Sequence, residues 1–143
     1  MFDGAVDGSL KALWIFAEDV VQTDPNTHHV VKAMQGLDLL VVQEIFMSET
    51  AKMADVVLPG TTFLEKSGTF TNTERRVQQV NAAVKPLQGT KTDGQIIVEM
   101  MRKLGFDQPD YDASEVLKEV ASCLLYTSPS PRDQRGSRMP SSA

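Results

Sequence analysis

Apolar positions along the chain fall into two patterns that take turns: short continuous runs, and runs spaced as on one side of a helix. Residues 10–17 (L-K-A-L-W-I-F-A) form an apolar run of strand length, too short for a helix and rich in aromatic and branched side chains. Glu18 and Asp19 end it. Asp24-Pro25-Asn26-Thr27 reads as a helix start, with Asp as the cap and Pro in the first turn. Val30, Val31 and Met34 give that helix an apolar face and Gly36 stops it. Residues 39–42 (L-L-V-V) form a fully apolar strand, the kind covered on both faces in a parallel sheet. Strand, helix and strand with short links make a right-handed βαβ unit. Residues 48–53 read as a turn of helix and residues 56–58 as a third strand, stopped by Pro59-Gly60. Lys91-Thr92-Asp93 caps a second clear helix, with Ile96, Ile97, Met100, Met101 and Leu104 on one side before Gly105. A last amphipathic helix runs from about Asp112 to Ala121, with Glu115 completing a capping box. Trp14 and Phe16 in the first run, and Met100 and Met101 at helical spacing, are core candidates. No internal repeat is visible.

The fold class that follows is α/β: a Rossmann-like open, mainly parallel sheet flanked by helices. In such sheets ligands sit beyond the carboxyl ends of the strands, where neighbouring loops diverge. That rule picks out residues 18–22 after the first strand and 43–50 after the second. No G-x-G-x-x-G follows either strand, so the ordinary nicotinamide-dinucleotide fingerprint is missing.

Composition narrows the function classes. The 143 residues suffice for one domain with a core, and 41% hydrophobic with 23% charged residues is ordinary for a soluble globular protein. No apolar run approaches the about 18 residues of a membrane span, and no basic-then-apolar leader opens the chain, so the setting is read as cytoplasmic. The net charge of −5 argues against a nucleic-acid surface. The one cysteine, Cys123, allows neither a disulfide framework nor a cysteine-ligated cluster within this chain. From Thr127 onward the chain is Ser, Pro and Arg with almost nothing to bury, so it reads as disordered. Everything from Cys123 to Ala143 resembles translated adapter or vector sequence. Residues 1–122 are therefore taken as one α/β lobe, and residues 123–143 as a disordered, non-native tail.

Asp19, Gln43, Glu44, Thr50, Lys66 and Asp93 gather on loops expected at one edge of the sheet, and together they match what a guanine nucleotide demands. The base offers N1–H and N2–H₂ donors that a carboxylate accepts at once. The ribose suits a carboxylate or amide, and the pyrophosphate suits Lys, hydroxyls and backbone N–H groups. Each residue also has a plain reading. Glu18 and Asp19 suit acid–base work or simply a solvated strand end. His28 and His29 lie about 100° apart on a helix, so both cannot readily face one metal ion. Lys66 alone reads as a surface lysine. Arg75 and Arg76 can pair with Glu65 or Glu74 as easily as with phosphate, and Asn72-Thr73 can simply shape a turn.

The order of these segments resembles the molybdopterin-dinucleotide oxidoreductases, and most closely formate dehydrogenase large subunits. Ala17-Glu18-Asp19-Val20 stands where that family commonly has G-E-N-P. The stretch from Val41 to Ala51 (V-V-Q-E-I-F-M-S-E-T-A) matches the family's V-V-Q-D-x-F-x-T-E-T-A. A-D-V-V-L-P and E-K-S-G-T-F-T-N-T-E-R-R-V-Q follow almost letter for letter, and Lys91-Thr92-Asp93 matches a further K-x-D. The likeness covers about residues 10–120. It departs at Asp19, which replaces the customary Asn, at Val20, which replaces Pro, and at Glu44, which replaces Asp.

By that resemblance Asp19, Gln43, Glu44, Lys66 and Asp93 are the positions expected at the dinucleotide tail of the cofactor. It implies a piece of a longer enzyme that oxidises formate to carbon dioxide at a bis-molybdopterin guanine dinucleotide centre carrying molybdenum or tungsten. It also implies a [4Fe–4S] cluster elsewhere in the parent, electron-transfer subunits as partners beside the parent's other domains, and no membrane span. Neither a catalytic residue nor a metal ligand is expected within this chain. A nitrate-reductase-like enzyme is the alternative within the same family. A cofactor-free iron-sulfur subunit of an NADH dehydrogenase complex is the alternative of another class.

Overall fold

The computed structural model of the chain describes residues 1–123. Helix α1 (Phe2–Asp7) leads into strand β1 (Ala12–Phe16), a short helix α2 (Val20–Thr23) and helix α3 (Thr27–Gln35). Strand β2 (Leu39–Glu44), helix α4 (Glu49–Lys52) and strand β3 (Val56–Pro59) follow. A 3₁₀ turn (Phe63–Glu65) then precedes the antiparallel hairpin of β4 (Gly68–Thr71) and β5 (Val77–Val80). Helices α5 (Asp93–Lys103) and α6 (Ala113–Cys123) complete the chain. Strands β1, β2 and β3 form a parallel sheet in that spatial order, so the α/β class and the parallel sheet are as expected.

The local causes are visible at the element ends. Asn26, not Asp24, caps α3: its carboxamide accepts from His29 N at 3.3 Å, while Asp24 turns back to Asn26 N at 2.8 Å. Ser48 caps α4, and Thr92 with Gln95 closes a capping box on α5. Asp55, just before β3, exchanges bonds with the second residue of β2. Its carboxylate takes Leu40 N at 2.7 Å and its own N–H reaches Leu40 O at 2.9 Å.

Pairing puts Ile15, Val42 and Val57 side by side across the sheet, so Leu13, Ile15, Leu40, Val42 and Val57 share one face. That face is the core. Ile15, Leu40 and Val42 pack there with Val20, Val30, Met34 and Ala51 from α2, α3 and α4. The opposite face holds Trp14, Phe16, Leu39, Val41, Gln43, Val56 and Leu58, and it is not closed in the same way. Trp14 is 36% exposed, Phe16 46%, Leu39 42% and Val56 43%, so the expectation of a strand covered on both faces, with Trp14 and Phe16 as core, is corrected. Alternation decides this: a run apolar at every position feeds both faces, and among the described residues only one has a full layer of helices. On α5 only Ile96 is buried, Met100 and Met101 are half-buried, and Leu104 is exposed. The tail expected to begin at Cys123 starts on the last residue of α6, and residues 124–143 lie outside the described residues.

Candidate functional site at the carboxyl ends of the sheet

Gln43 is the penultimate residue of β2 and lies on the less covered face, yet it is 1% exposed. Its burial is explained by what stands over it. The capping box of Thr92 and Gln95 starts α5 so that Asp93 is the first helical residue, where a carboxylate gains from the helix N-terminus. Gln43 Nε2 donates to Asp93 Oδ1 at 3.0 Å, and Lys66 Nζ donates to Asp93 Oδ2. A residue from the sheet, one from the start of α5 and one from the segment before the hairpin thus meet at a single carboxylate. Lys66 and Asp93 are each about a quarter exposed (24% and 26%), so their pair is partly shielded from water.

Gly60 makes this approach possible. A Cβ at Gly60 would come within 3.3 Å of Asp93 Oδ1, and Gly60 N donates to Glu44 O at 3.1 Å. The loop after β3 is held against both the end of β2 and the start of α5, where Gly60 and Lys91 also form a parallel bridge. A cavity of about 440 Å³ opens here, walled by Gln43, Glu44, Gly60, Thr61, Lys66 and Asp93. Its size suits a small-molecule group. Exposed apolar side chains stand at its rim, with Phe46 73%, Phe63 57%, Leu64 46% and Ile45 44% accessible. A second cavity of about 400 Å³ lies on the other side of the Lys66–Asp93 pair, between β4 and α6. There Tyr111 covers Gly94, where a Cβ would overlap the ring.

Among the predicted residues the structure brings Gln43, Lys66 and Asp93 into direct contact, with Glu44 on the same wall. Glu44 Oε1 accepts from Ile45 N at 2.7 Å, which folds its carboxylate over the turn after β2. Asp19 stands outside this network. Its Oδ1 accepts from Thr50 Oγ1 at 2.6 Å and Thr50 N at 3.1 Å, and Thr50 Oγ1 in turn accepts from Val21 N at 3.1 Å. The Thr50 hydroxyl is the main cause that holds the Asp19 carboxyl below its ordinary value, with the Thr50 and Glu49 amides adding to it against the cost of burial. Thr50, expected among the nucleotide ligands, is fully buried and serves this junction between the first loop and α4.

Glu65 is not a partner of Arg75 or Arg76. It closes a capping box with Thr62 and accepts Leu87 N at 3.1 Å; its carboxyl is lowered first by the Thr62 amide. Arg75 instead takes a left-handed conformation (φ 63°) in the hairpin turn that Asn72 closes through Arg76 N at 3.0 Å. His29 Nε2 lies 3.0 Å from Asp3. No group of three or more His, Cys, Asp or Glu among the described residues could hold a metal ion. No helix among them is long and apolar enough to cross a membrane.

Sequence reasoning missed Thr61 and Gly60. The carboxyl-end rule, extended to the third strand, reaches both, since they directly follow Pro59 at the end of β3. It also missed that Ala17 sits at φ 51°, the left-handed region, in the place where the resembling loops have Gly.

Comparison with known proteins bears on this site. The family model for molybdopterin oxidoreductase matches residues 1–103. A protein of Staphylococcus aureus (strain bovine RF122 / ET3-1), provisionally named a formate dehydrogenase, is 45% identical over 121 residues. One of Bacillus subtilis (strain 168), named in the same provisional way, is 44% identical over 122 residues. Each alignment covers 85% of this chain, which spans 12% of the length of either relative. Among solved structures, acetylene hydratase from Pelobacter acetylenicus superposes with a TM-score of 0.66 at 27% identity, over 73% of this chain and 15% of that one.

Proposed function

The chain belongs to the molybdopterin oxidoreductase family, and from that premise we propose that it is the part of a formate dehydrogenase large subunit that holds the guanine-dinucleotide tail of the cofactor. The carrying observation is the Gln43–Asp93–Lys66 network, set at the carboxyl ends of parallel strands beside a cavity of suitable size. The residues fit such a tail. Gln43 Oε1 is buried without a protein partner, which is costly unless a ligand donor meets it. Glu44 and Asp93 offer acceptors to base or ribose donors, and Lys66 offers positive charge to phosphate. Asp19 contributes by fixing the first loop against α4.

When bound, the molybdenum or tungsten bis-dinucleotide centre would supply the redox chemistry, with a [4Fe–4S] cluster and electron-transfer partner subunits expected elsewhere in the parent. This chain's own residues bind and orient. With a single cysteine they cannot ligate a cluster, and the isolated chain is expected to be catalytically silent. Its open sheet face and the apolar rim of its cavity suit a lobe enclosed by further domains of a longer chain. The cytoplasmic setting belongs to the same proposal.

The formate assignment rests on the relatives' names and on the form of residues 65–78. Because a similar lobe occurs in an enzyme named as an acetylene hydratase, the lobe does not by itself select the substrate. The test is the full-length parent, supplied with molybdenum and offered formate with a dye acceptor, then nitrate with a reduced dye. Formate oxidation is expected, and nitrate turnover without it would overturn the substrate while leaving the cofactor role standing. For that role, Glu44→Gln and Asp93→Asn each exchange an acceptor for a donor, which costs about 1–3 kcal/mol where a buried hydrogen bond breaks. Molybdopterin content of the purified parent should fall in both variants, and full occupancy in both would sink the assignment.

A further inference from the structure

Two buried side-chain atoms at the cavity wall lack a protein partner, Gln43 Oε1 and Thr61 Oγ1. Their residues are 1% and 2% exposed. Buried polar groups are nearly always paired, so two such atoms on residues that line one cavity point to a ligand that completes them. The direction of Gln43 is fixed by its neighbour. Nε2 donates to Asp93 Oδ1, and turning the amide over would set oxygen against a carboxylate already engaged by Lys66. The Oε1 acceptor of Gln43 is therefore the atom left over for a ligand. Thr61 is held as firmly, because Gly60 before it bonds Glu44 O and lies against Asp93, and Thr62 after it is tied into the Glu65 capping box. Neither the resembling motifs nor the charged-residue pattern marked Thr61.

We infer that Thr61 is a further ligand-binding residue of this site, its hydroxyl and Gln43 Oε1 together receiving a donor-bearing edge of the nucleotide. The inference rests on the nucleotide reading above. The donor is a ribose hydroxyl or the 2-amino group of the base, which present the same chemistry to an acceptor and a hydroxyl. A merely structural threonine would have its hydroxyl paired within the protein. Here the hydroxyl is unpaired and buried, so removing it should weaken the ligand without weakening the fold.

The experiment uses the ¹⁵N-labelled 143-residue chain, titrated with GDP and followed by NMR at the Gln43 side-chain amide and the amides of Gly60 and Thr61. Saturable shifts are expected in the unaltered chain. Thr61→Val should weaken GDP by about fivefold or more, as loss of one hydrogen bond implies, with a melting temperature equal to or above that of the unaltered chain. Thr61→Ser should bind within about twofold. Two further ligands locate the donor: 2′,3′-dideoxy-GDP lacks the ribose hydroxyls and IDP lacks the base amino group. The one that binds the unaltered chain more weakly, and loses nothing further in Thr61→Val, identifies the partner. GDP binding unchanged in Thr61→Val would overturn the inference and leave the nucleotide reading intact. Equal binding of all three ligands by the unaltered chain would overturn it too, whether or not the valine variant folds. Absence of saturable shifts with any of them would remove the nucleotide reading and this inference together.

Discussion

The two faces of the three-stranded sheet are built from the same strands, often from adjacent residues, yet they differ in almost every physical respect. On one, Leu40 and Val42 are 1% and 0% exposed and pack with Ile15, Val30 and Met34 into the only continuous core among the described residues. On the other, Trp14, Phe16, Leu39 and Val56 remain more than a third accessible, and the one fully buried residue is polar. The first face is finished by local chain: α2, α3 and α4 are the connections between the strands themselves. The second draws its cover from distant segments, and these close it only around Gln43. Stability therefore resides on one face and ligand chemistry at the edge of the other. A site assembled from residues 43, 66 and 93 depends on the core face for the position of its strand and on looser elements for its partners.

The sharpest break in that comparison comes from neighbouring leucines. Leu40→Ala should destabilise the chain by about 2–5 kcal/mol, since it empties a closed core, whereas Leu39→Ala should stay within about 1 kcal/mol. Urea unfolding of both variants measures the difference, and equal losses would show that the second face is as well packed as the first. In the full-length parent the Leu39 cost should rise toward that of Leu40 if further domains cover that face.

A smaller effect concerns the junction that fastens α2 to α4. The folded-state carboxyl of Asp19 is lowered below its ordinary value near 3.8, chiefly by the Thr50 hydroxyl. A depressed carboxyl contributes stability that is fully present above its unfolded value and is lost as pH falls through its folded value. Stability of the unaltered chain should thus fall more steeply below about pH 4 than that of Asp19→Asn or Thr50→Val. Parallel acid-unfolding curves for the three proteins would show that the junction carries no charge-dependent stability. Because Asp19 is only half-buried, solvent screening keeps the effect modest.

The smallest change is expected at the residue that follows β1. Ala17 at φ 51° bears a left-handed cost of about 1 kcal/mol or more, which Ala17→Gly would relieve. Greater freedom of glycine in the unfolded chain takes back about 0.4–1 kcal/mol. The glycine variant should therefore lie within about 1 kcal/mol of the parent chain in thermal unfolding, while Ala17→Val should be clearly less stable. A valine variant as stable as the original would mean that the loop is free to leave this conformation.

Elements with a strong period and an explicit end were legible in the chain. The three parallel strands, α3 ending at Gly36, α4 after Ser48, α5 after Thr92 and α6 all follow from patterns a few residues long. Short pieces without such a signal were not: α1, α2 and the 3₁₀ turn have too few residues to show a period, and tertiary contacts settle them. The α3 cap moved from Asp24 to Asn26 because both residues can cap, and the choice depends on where the following chain is held.

For the site, the sequence supplied the residue types and the edge of the sheet on which they gather, because parallel strands open their loops at one end whatever packs around them. It also supplied the family, since motifs from Gln43 to Gln78 survive as contiguous letters. It could not say that Asp93 would join Gln43 to Lys66, that Asp19 would be taken by Thr50, or that Thr61 would be buried with its hydroxyl unpaired. Those outcomes depend on which segments, distant in the chain, come within about 3 Å of one another, the reach of a hydrogen bond. The apolar strand run likewise fixed that both faces of the sheet would be hydrophobic. Only the packed chain decided which face would be closed, because closure needs a helix layer above it, and among the described residues a complete layer lies over one face alone.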